Sequence, residues 1–409
     1  MTTLRIALRN YADFENALGE EARLFEESHA GIHVELISVG IHELRRSALT
    51  EGGLKQGRFD IALLVTDWLA EGTAAGALED LQPWQNRIPI PDWPNGWPSS
   101  LVRPIVFDGK LSSLPWHDGP ECLVYRSDLF ADPTRQAAYR AQFRRELAPP
   151  VTWQQFEETA RFLTDTSAGL YGTILAAFPD GHNTLYDLAL QLWSRGGELS
   201  DASGRPLVCT PQAIAALDFY RQIVSDRSVC HPASPHLDST QSGDRFLAGE
   251  VAMMVNWFGF ASRSDRAGSP LAGKVAIAPI PSDPGVAPIS LSVFWALAMG
   301  SGSTQKELAW EFLRFIATPE RDLGITKHGT VGVRLSTWRD ADLRLRVPAY
   351  AGIESISLGA RHLPAGPQMA AFAEIVDSIV THALTTQDAS AAILESAQRE
   401  IDQRGILFS

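Results

Sequence analysis

The chain opens on a regular exchange between short apolar runs and amphipathic stretches. Leu4 to Leu8 reads as a strand, Asp13 to about Ser28 as a helix, and Ile32 to Val39 as a second strand. Another helix and the run from Phe59 to Val65 complete a βαβ pattern, which implies parallel strands. Ligands of such sheets bind beyond the carboxyl ends of the strands. The loops to inspect are therefore Arg9-Asn10-Tyr11 and Thr66-Asp67-Trp68.

Between Leu81 and Pro104 the segment PWQNRIPIPDWPNGWP repeats proline too often for a helix or a central strand, so an irregular Trp-rich segment is expected. LSSLPWHDGPECLVYRSDLF then gives a strand, a polar corner and a second strand, and the first crossing between lobes is placed there. Thr152-x-x-Gln155 forms a capping box that opens an amphipathic helix. A strand is expected from Tyr171 to Ala177, a helix from about Thr184 to Arg195 stopped at Gly196-Gly197, and a helix after Thr210-Pro211. The polar stretch from Ser225 to Ser242 precedes a short helix, and Ala261 to Gly273 reads as a loop. Lys274 to Ile280 and Val293 to Met299 read as strands, and Thr304-x-x-Glu307 as the cap of the helix LAWEFLRFIA. Pro367 to Leu384 and Asp388 to Gln403 are helical by apolar spacing.

At 409 residues the chain exceeds the size at which single cores stop growing, so two lobes are expected. The formal net charge of −13, with Lys and Arg thinly spread, leaves no basic stripe for nucleic acid or an anionic membrane. No apolar run is long enough for a membrane span, and MTTLRIALRNYADF lacks the regions of an export signal. Either the protein works in the cytosol or a signal has been removed ahead of this start. Three cysteines, Cys122, Cys209 and Cys230, are too few and too separated for a disulfide framework and are expected to be reduced.

No HExxH, CxxC, GxxxxGK[ST] or GxSxG occurs, which argues against zinc proteases, redox dithiols, P-loops and nucleophile elbows. His117-Asp118 with Glu121 offers a metal or acid–base cluster, or simply a hydrogen-bonded turn. Asp67 and Asp118 could flank a glycosidic bond as a carboxylate pair. The loop composition favours binding instead. Trp68, Trp116, Trp257 and Trp295 sit at strand ends or turns, where flat rings stack on a pyranose and neighbouring carboxylates and amides bind hydroxyls.

In order and spacing, FDIALLVTDWLAE, LPWHDGPECLVYRSDLF, PPVTWQQFEETARFL, LYGTILA, LQLWSRGGEL, DRFLAGEVAMMVNWFGF, KVAIAPIP, FWALAMGSGSTQKELAWEFLRFIATPE and the Gly332-Val333-Arg334 turn resemble the family 1 extracellular solute-binding proteins of sugar ABC importers, the group that includes maltose- and trehalose-binding proteins. The resemblance implies an α/β, two-lobed periplasmic-binding-protein fold with discontinuous lobes, an interlobe ligand cleft and hinge closure. Residues 1–114 plus 276–328 would form one lobe and 115–275 plus 329–409 the other. It further implies capture of a mono- to trisaccharide for a membrane permease, periplasmic or extracellular residence, a monomer, and no cofactor, metal or catalysis. A secreted carbohydrate-active enzyme using Asp67 and Asp118, or a ligand-sensing partner of a membrane receptor, are the alternatives.

Carried over onto this sequence, the expected ligand contacts are Asn10, Tyr11, Asp67, Trp68, Trp116, His117, Asp118, Asn256, Trp257, Phe294, Trp295 and Arg334, with Trp257 as the main stacking platform. Asp180, His182 and Asn183 are secondary candidates. Where many relatives carry glycines this chain has Val293-Phe294, which implies a tighter cleft and a small ligand. Arg9, Arg334 and His117 would suit an anionic sugar, although a neutral one is the main expectation.

Overall fold

The computed structural model describes residues 2–366 and 368–408; Pro367, the expected start of a C-terminal helix, lies outside them. In chain order the main elements are β1 (Thr2–Arg9), α1 (Ala12–Ser28), β2 (Ile32–Val39), β3 (Ile61–Val65), β4 (Leu114–His117), β5 (Glu121–Arg126), α2 (Trp153–Leu163), α3 (Asn183–Trp193), α4 (Pro211–Ser225), α5 (Ser239–Leu247), β6 (Met253–Trp257), α6 (Phe258–Ser264), β7 (Val275–Ala278), β8 (Trp295–Met299), α7 (Lys306–Ile316), α8 (Pro319–Ile325), α9 (Met369–Thr385) and α10 (Ser390–Arg404). They fall into two compact units. Met1–Gly119 with Ser292–Leu345 is one, and Pro120–Leu291 with Arg346–Ser409 the other.

The first unit is built on a five-stranded sheet ordered β2-β1-β3-β8-β4. β1 is parallel to β2 and β3, as the βαβ pattern implies, while β8 runs antiparallel to both of its neighbours. All five residues of β3 are buried, the expected state of a central strand covered on both faces. Its entry is fixed by Asp60, whose carboxylate accepts from the Arg5 N–H at 2.9 Å and the Ser303 hydroxyl at 2.5 Å. α1 covers the sheet with Phe14, Ala17, Leu18, Ala22 and Phe25, a helical stripe in which each large side chain contributes roughly 1.5–3 kcal/mol of burial.

The second unit holds an antiparallel sheet ordered β6-β5-β7, surrounded by helices. α3 is apolar almost all round, and ten of its eleven residues are buried. The three cysteines are free.

The unit boundaries differ from those expected. β7 spans 275/276 yet pairs with β5 throughout, which keeps the chain in the second unit until Leu291. The Gly332–Trp338 stretch belongs with the first unit because buried Asp322 binds it: its carboxylate accepts from Val333 N–H at 2.8 Å, Arg334 N–H at 3.1 Å and the Thr337 hydroxyl at 2.5 Å. Position 332 must be glycine here, since a Cβ would lie 2.5 Å from the Asp322 carboxylate.

Local departures have equally local causes. Tyr171–Ala177 is extended but forms only isolated bridges, Tyr171 with Val251 and Thr173 with Cys230, so no continuous strand results. The proline-rich segment contains a helix, Gln82–Arg87, because Pro83 falls in its first turn, where a missing N–H costs nothing. Asp238 and Gln241 form a complete capping box that starts α5 inside the expected polar loop, and α6 extends into Ala261–Gly273. Thr152 caps α2 by accepting from Gln155 N–H at 3.2 Å, whereas the Gln155 side chain turns back to Val151. Thr304 does not cap α7. The Ser303 hydroxyl takes the Gln305 N–H, and the helix starts at Lys306.

Candidate functional site

In the first unit the carboxyl ends of β1, β3 and β4 converge with the amino end of β8, since Trp295 pairs with Val65 on one side and His117 on the other. Phe14, early in α1, sits at the centre of an aromatic cluster. Its ring meets Tyr11, Trp116, His117 and Trp295 edge-on, with centroids 5.1, 5.3, 4.9 and 5.3 Å away. Trp68 adds an edge contact to Trp295 at 6.2 Å, and the Arg9 guanidinium lies over the rings of Tyr11 and Trp295. Five of the expected contacts, Tyr11, Trp68, Trp116, His117 and Trp295, are thus brought together. Asp67 lies beside Trp68 in a 3-10 turn, half-buried, and exposed Asn10 donates its N–H to Val39.

His117 accepts the Val331 N–H at Nδ1, 2.8 Å away, which leaves the proton of the neutral ring on Nε2. Burial lowers its pKa to about 4, against the attraction of Asp13, so the ring is neutral at pH 7. A neutral ring brings no positive charge of its own to an anionic sugar.

Asp118 is fully buried. One carboxylate oxygen accepts from Ser292 at 3.3 Å, while Oδ2 has no partner. Burial raises its pKa to about 7, opposed by the Gly119 N–H and Ser292 hydrogen bonds. A pKa raised on folding gives stability that is fully present below the unfolded value of 3.8 and is lost as pH rises through about 7. Asp118→Asn keeps the shape without the charge. Its melting temperature relative to wild type is therefore expected to climb between pH 5 and pH 8, by an amount equivalent to about 2 kcal/mol. A difference that stays constant across that range would show that this carboxyl does not titrate there.

Three expected contacts of the first unit prove to be structural. Phe294 is fully buried, and its backbone is tied to Thr66 in both directions. Trp116, buried with its indole N–H unpartnered, lines a small internal cavity with Trp97, Leu313 and Ile316. Arg334 is 1% exposed: it pairs with Asp92, donates to Ala317 O at 2.7 Å and packs on the Trp97 ring at 4.1 Å. It is a buried guanidinium held by a half-exposed carboxylate rather than an open fork, so it offers no free charge to an anionic sugar.

In the second unit Trp257 ends β6 half-buried and meets Tyr186 of α3 edge-on at 5.6 Å. Asn256 points to the opposite face, as strand alternation requires. Its amide donates to Ser239 O at 3.1 Å and Ser242 Oγ at 3.2 Å and accepts from Trp257 N–H, which removes it from the expected contacts. Asp180 accepts the N–H groups of His182 and Asn183 at 2.9 and 2.8 Å and so caps the start of α3. His182 Nδ1 reaches the Tyr186 hydroxyl at 3.1 Å.

Sequence reasoning missed Tyr186 and Asp187, and it grouped Glu121 with His117 and Asp118 as an acid–base cluster or a turn rather than with Trp257. Glu121 faces Trp257 across the β5–β6 ladder, is 4% exposed and leaves Oε2 unpartnered. Asp187 accepts from the Tyr220 hydroxyl at 3.1 Å. Burial raises the pKa of both carboxyls, that of Asp187 to about 7, and the charge of Asp187 pushes Glu121 further up. The one visible signal was a charged residue in the middle of the apolar run LYDLALQLW.

Among the described residues no group of three His, Cys, Asp or Glu is arranged to hold a metal ion. No helix among them is long and apolar enough to cross a membrane.

The chain matches the model of the bacterial extracellular solute-binding proteins over residues 8–321 and belongs to that family. A probable ABC transporter-binding protein of Deinococcus radiodurans is 24% identical over 379 residues, 91% of this chain and 86% of that protein. The maltose-bound MalE3 structure from T. maritima matches with a TM-score of 0.86 at 22% identity, over 99% of this chain and 100% of that one. A ribitol-bound ABC transporter solute-binding protein from Agrobacterium radiobacter gives 0.85 at 24% identity over 98% of each chain. These likenesses establish the two-lobed α/β binding-protein fold that the sequence motifs led us to expect.

Proposed function

We propose that this protein is the ligand-capturing component of a bacterial ABC importer, that its ligand is a sugar or sugar alcohol of one to three units, and that it delivers the ligand to a membrane permease without chemical change. The observation that carries the reading is the gathering of aromatic rings with carboxylates: Tyr11, Trp68 and Trp295 with Asp67 at strand ends in the first unit, and Trp257 and Tyr186 with Glu121 and Asp187 where β5, β6 and α3 meet in the second. Rings cover the C–H faces of a polyol while carboxylates accept its hydroxyls. Similarity to proteins solved with maltose and with ribitol supports a small sugar or sugar alcohol as the ligand. Family membership supports residence outside the cytoplasmic membrane.

The expected result is stabilisation of the purified protein in a melting screen over pentitols, hexitols, monosaccharides and disaccharides. A ligand at 100 times its Kd adds about 2.7 kcal/mol. No shift with any member of the panel would sink the reading. Asp118 is sealed and held by Ser292, which disfavours it as half of a hydrolytic pair with Asp67. Disaccharide recovered intact after prolonged incubation is accordingly expected, and cleavage would restore the enzyme alternative.

A further inference from the structure

The second unit contains an acidic pair beyond what hydroxyl binding requires. Glu121 begins β5 directly opposite Trp257, a register that places the two side chains on the same face. Asp187 follows Tyr186 on α3, and Tyr186 touches Trp257, so both carboxyls sit on elements that meet at this aromatic corner. The two carboxyls interact electrostatically, and Oε2 of buried Glu121 lacks any partner.

His182, the titratable base at this corner, is bonded through Nδ1 to the Tyr186 hydroxyl. Asp187 faces Glu121, the Tyr220 hydroxyl and the carboxylate of Asp180, and Glu121 is flanked by the Cys122 thiol, itself pushed up by burial. Among the described residues no lysine or arginine pairs with Glu121 or Asp187. Two interacting carboxyls without a counter-charge do not both ionise cheaply: either one keeps its proton or a cation comes to sit near them. A neutral sugar provides hydroxyl donors but no charge. An ammonium provides both, and gains further from the ring faces of Trp257 and Tyr186.

We propose that Glu121 and Asp187 form an ammonium-binding subsite beside Trp257, so that the ligand is an amino-substituted sugar or sugar alcohol. This rests on the polyol-binding reading above and narrows it.

The test is calorimetry at pH 7 with matched pairs: glucosamine against glucose, and 1-amino-1-deoxyglucitol against glucitol. The amino member of at least one pair is expected to bind about tenfold or more tightly, as an ionised hydrogen-bond partner in a desolvated site should. Its binding should weaken with added salt and should release protons, seen as a dependence of the heat on buffer ionisation. Glu121→Gln and, separately, Asp187→Asn should abolish the preference, bringing the amino member close to its neutral analogue. Equal or tighter binding of the neutral members overturns the ammonium subsite and leaves the polyol-binding reading standing. A preference that survives in both variants also overturns it. If neither these ligands nor the wider melting-screen panel binds, the broader reading falls as well.

Discussion

Replacing Asp322 by alanine is expected to destabilise the first unit by about 3–5 kcal/mol, the largest single loss we foresee from a side chain outside the candidate site. Asp322 is buried at the start of α8 and gathers two backbone N–H groups and one hydroxyl from Val333, Arg334 and Thr337. Removing the carboxylate would leave three buried donors without a partner, each costing about 1–3 kcal/mol. Gly332 allows the approach, and Arg334 depends on it for its position against Asp92 and Trp97. Denaturant unfolding followed by tryptophan fluorescence reports the change, since Trp97 and Trp338 both lie in this region. Asp322→Asn retains the shape and one acceptor and should lose clearly less. A loss below about 1 kcal/mol in the alanine variant would mean that the 332–338 segment is held by other contacts.

That segment also shows where sequence patterning stops. Strands β1 to β3 and helix α3 were readable as apolar runs of strand or helix length, and helices α1, α4, α9 and α10 because their burial follows a period of 3.6 residues. The membership of Gly332–Trp338 was not, because it depends on one long-range carboxylate whose partners have no spacing rule. Tyr171–Ala177 was misread for a related reason: an apolar extended run reveals its own preference but not whether its neighbours continue alongside it.

The candidate site was half legible. Loops at strand ends were correctly chosen as the places where aromatic residues gather, and Tyr11, Trp68, His117 and Trp295 do surround Phe14 or its neighbours. Naming both members of Asn256-Trp257 and of Phe294-Trp295 could not succeed, because adjacent strand residues face opposite sides. Asn256 and Phe294 are the inward members, and each is consumed by the fold. Arg334 could not be distinguished from an open cation without knowing that Asp92 comes to meet it. Asp187 escaped notice because a mid-helix position looked structural, and Glu121 was noticed only beside His117 and Asp118. Their pairing exists only once β5 and α3 are placed together.

Trp257→Ala is expected to weaken ligand binding by about 100-fold or more while changing the ligand-free melting temperature little. The asymmetry follows from where the ring stands. It ends β6 half-buried, and the ring contact it makes within its unit is edge-on to Tyr186, so folding uses only part of its surface. Its backbone N–H bond to Asn256 is unaffected by truncation. The remaining face is free to cover a ligand, and an aromatic platform in a desolvated site commonly contributes 2–4 kcal/mol or more to binding, roughly 30- to 1000-fold. Trp257→Phe, which keeps a smaller face, should fall between wild type and alanine. Calorimetry with the tightest polyol from the melting screen measures the affinity, and thermal unfolding without ligand measures the fold. Unchanged affinity in the alanine variant would remove Trp257 from the site, and with it the aromatic corner on which Glu121 and Asp187 converge. Equal losses in affinity and stability would instead make the ring a structural support for Tyr186.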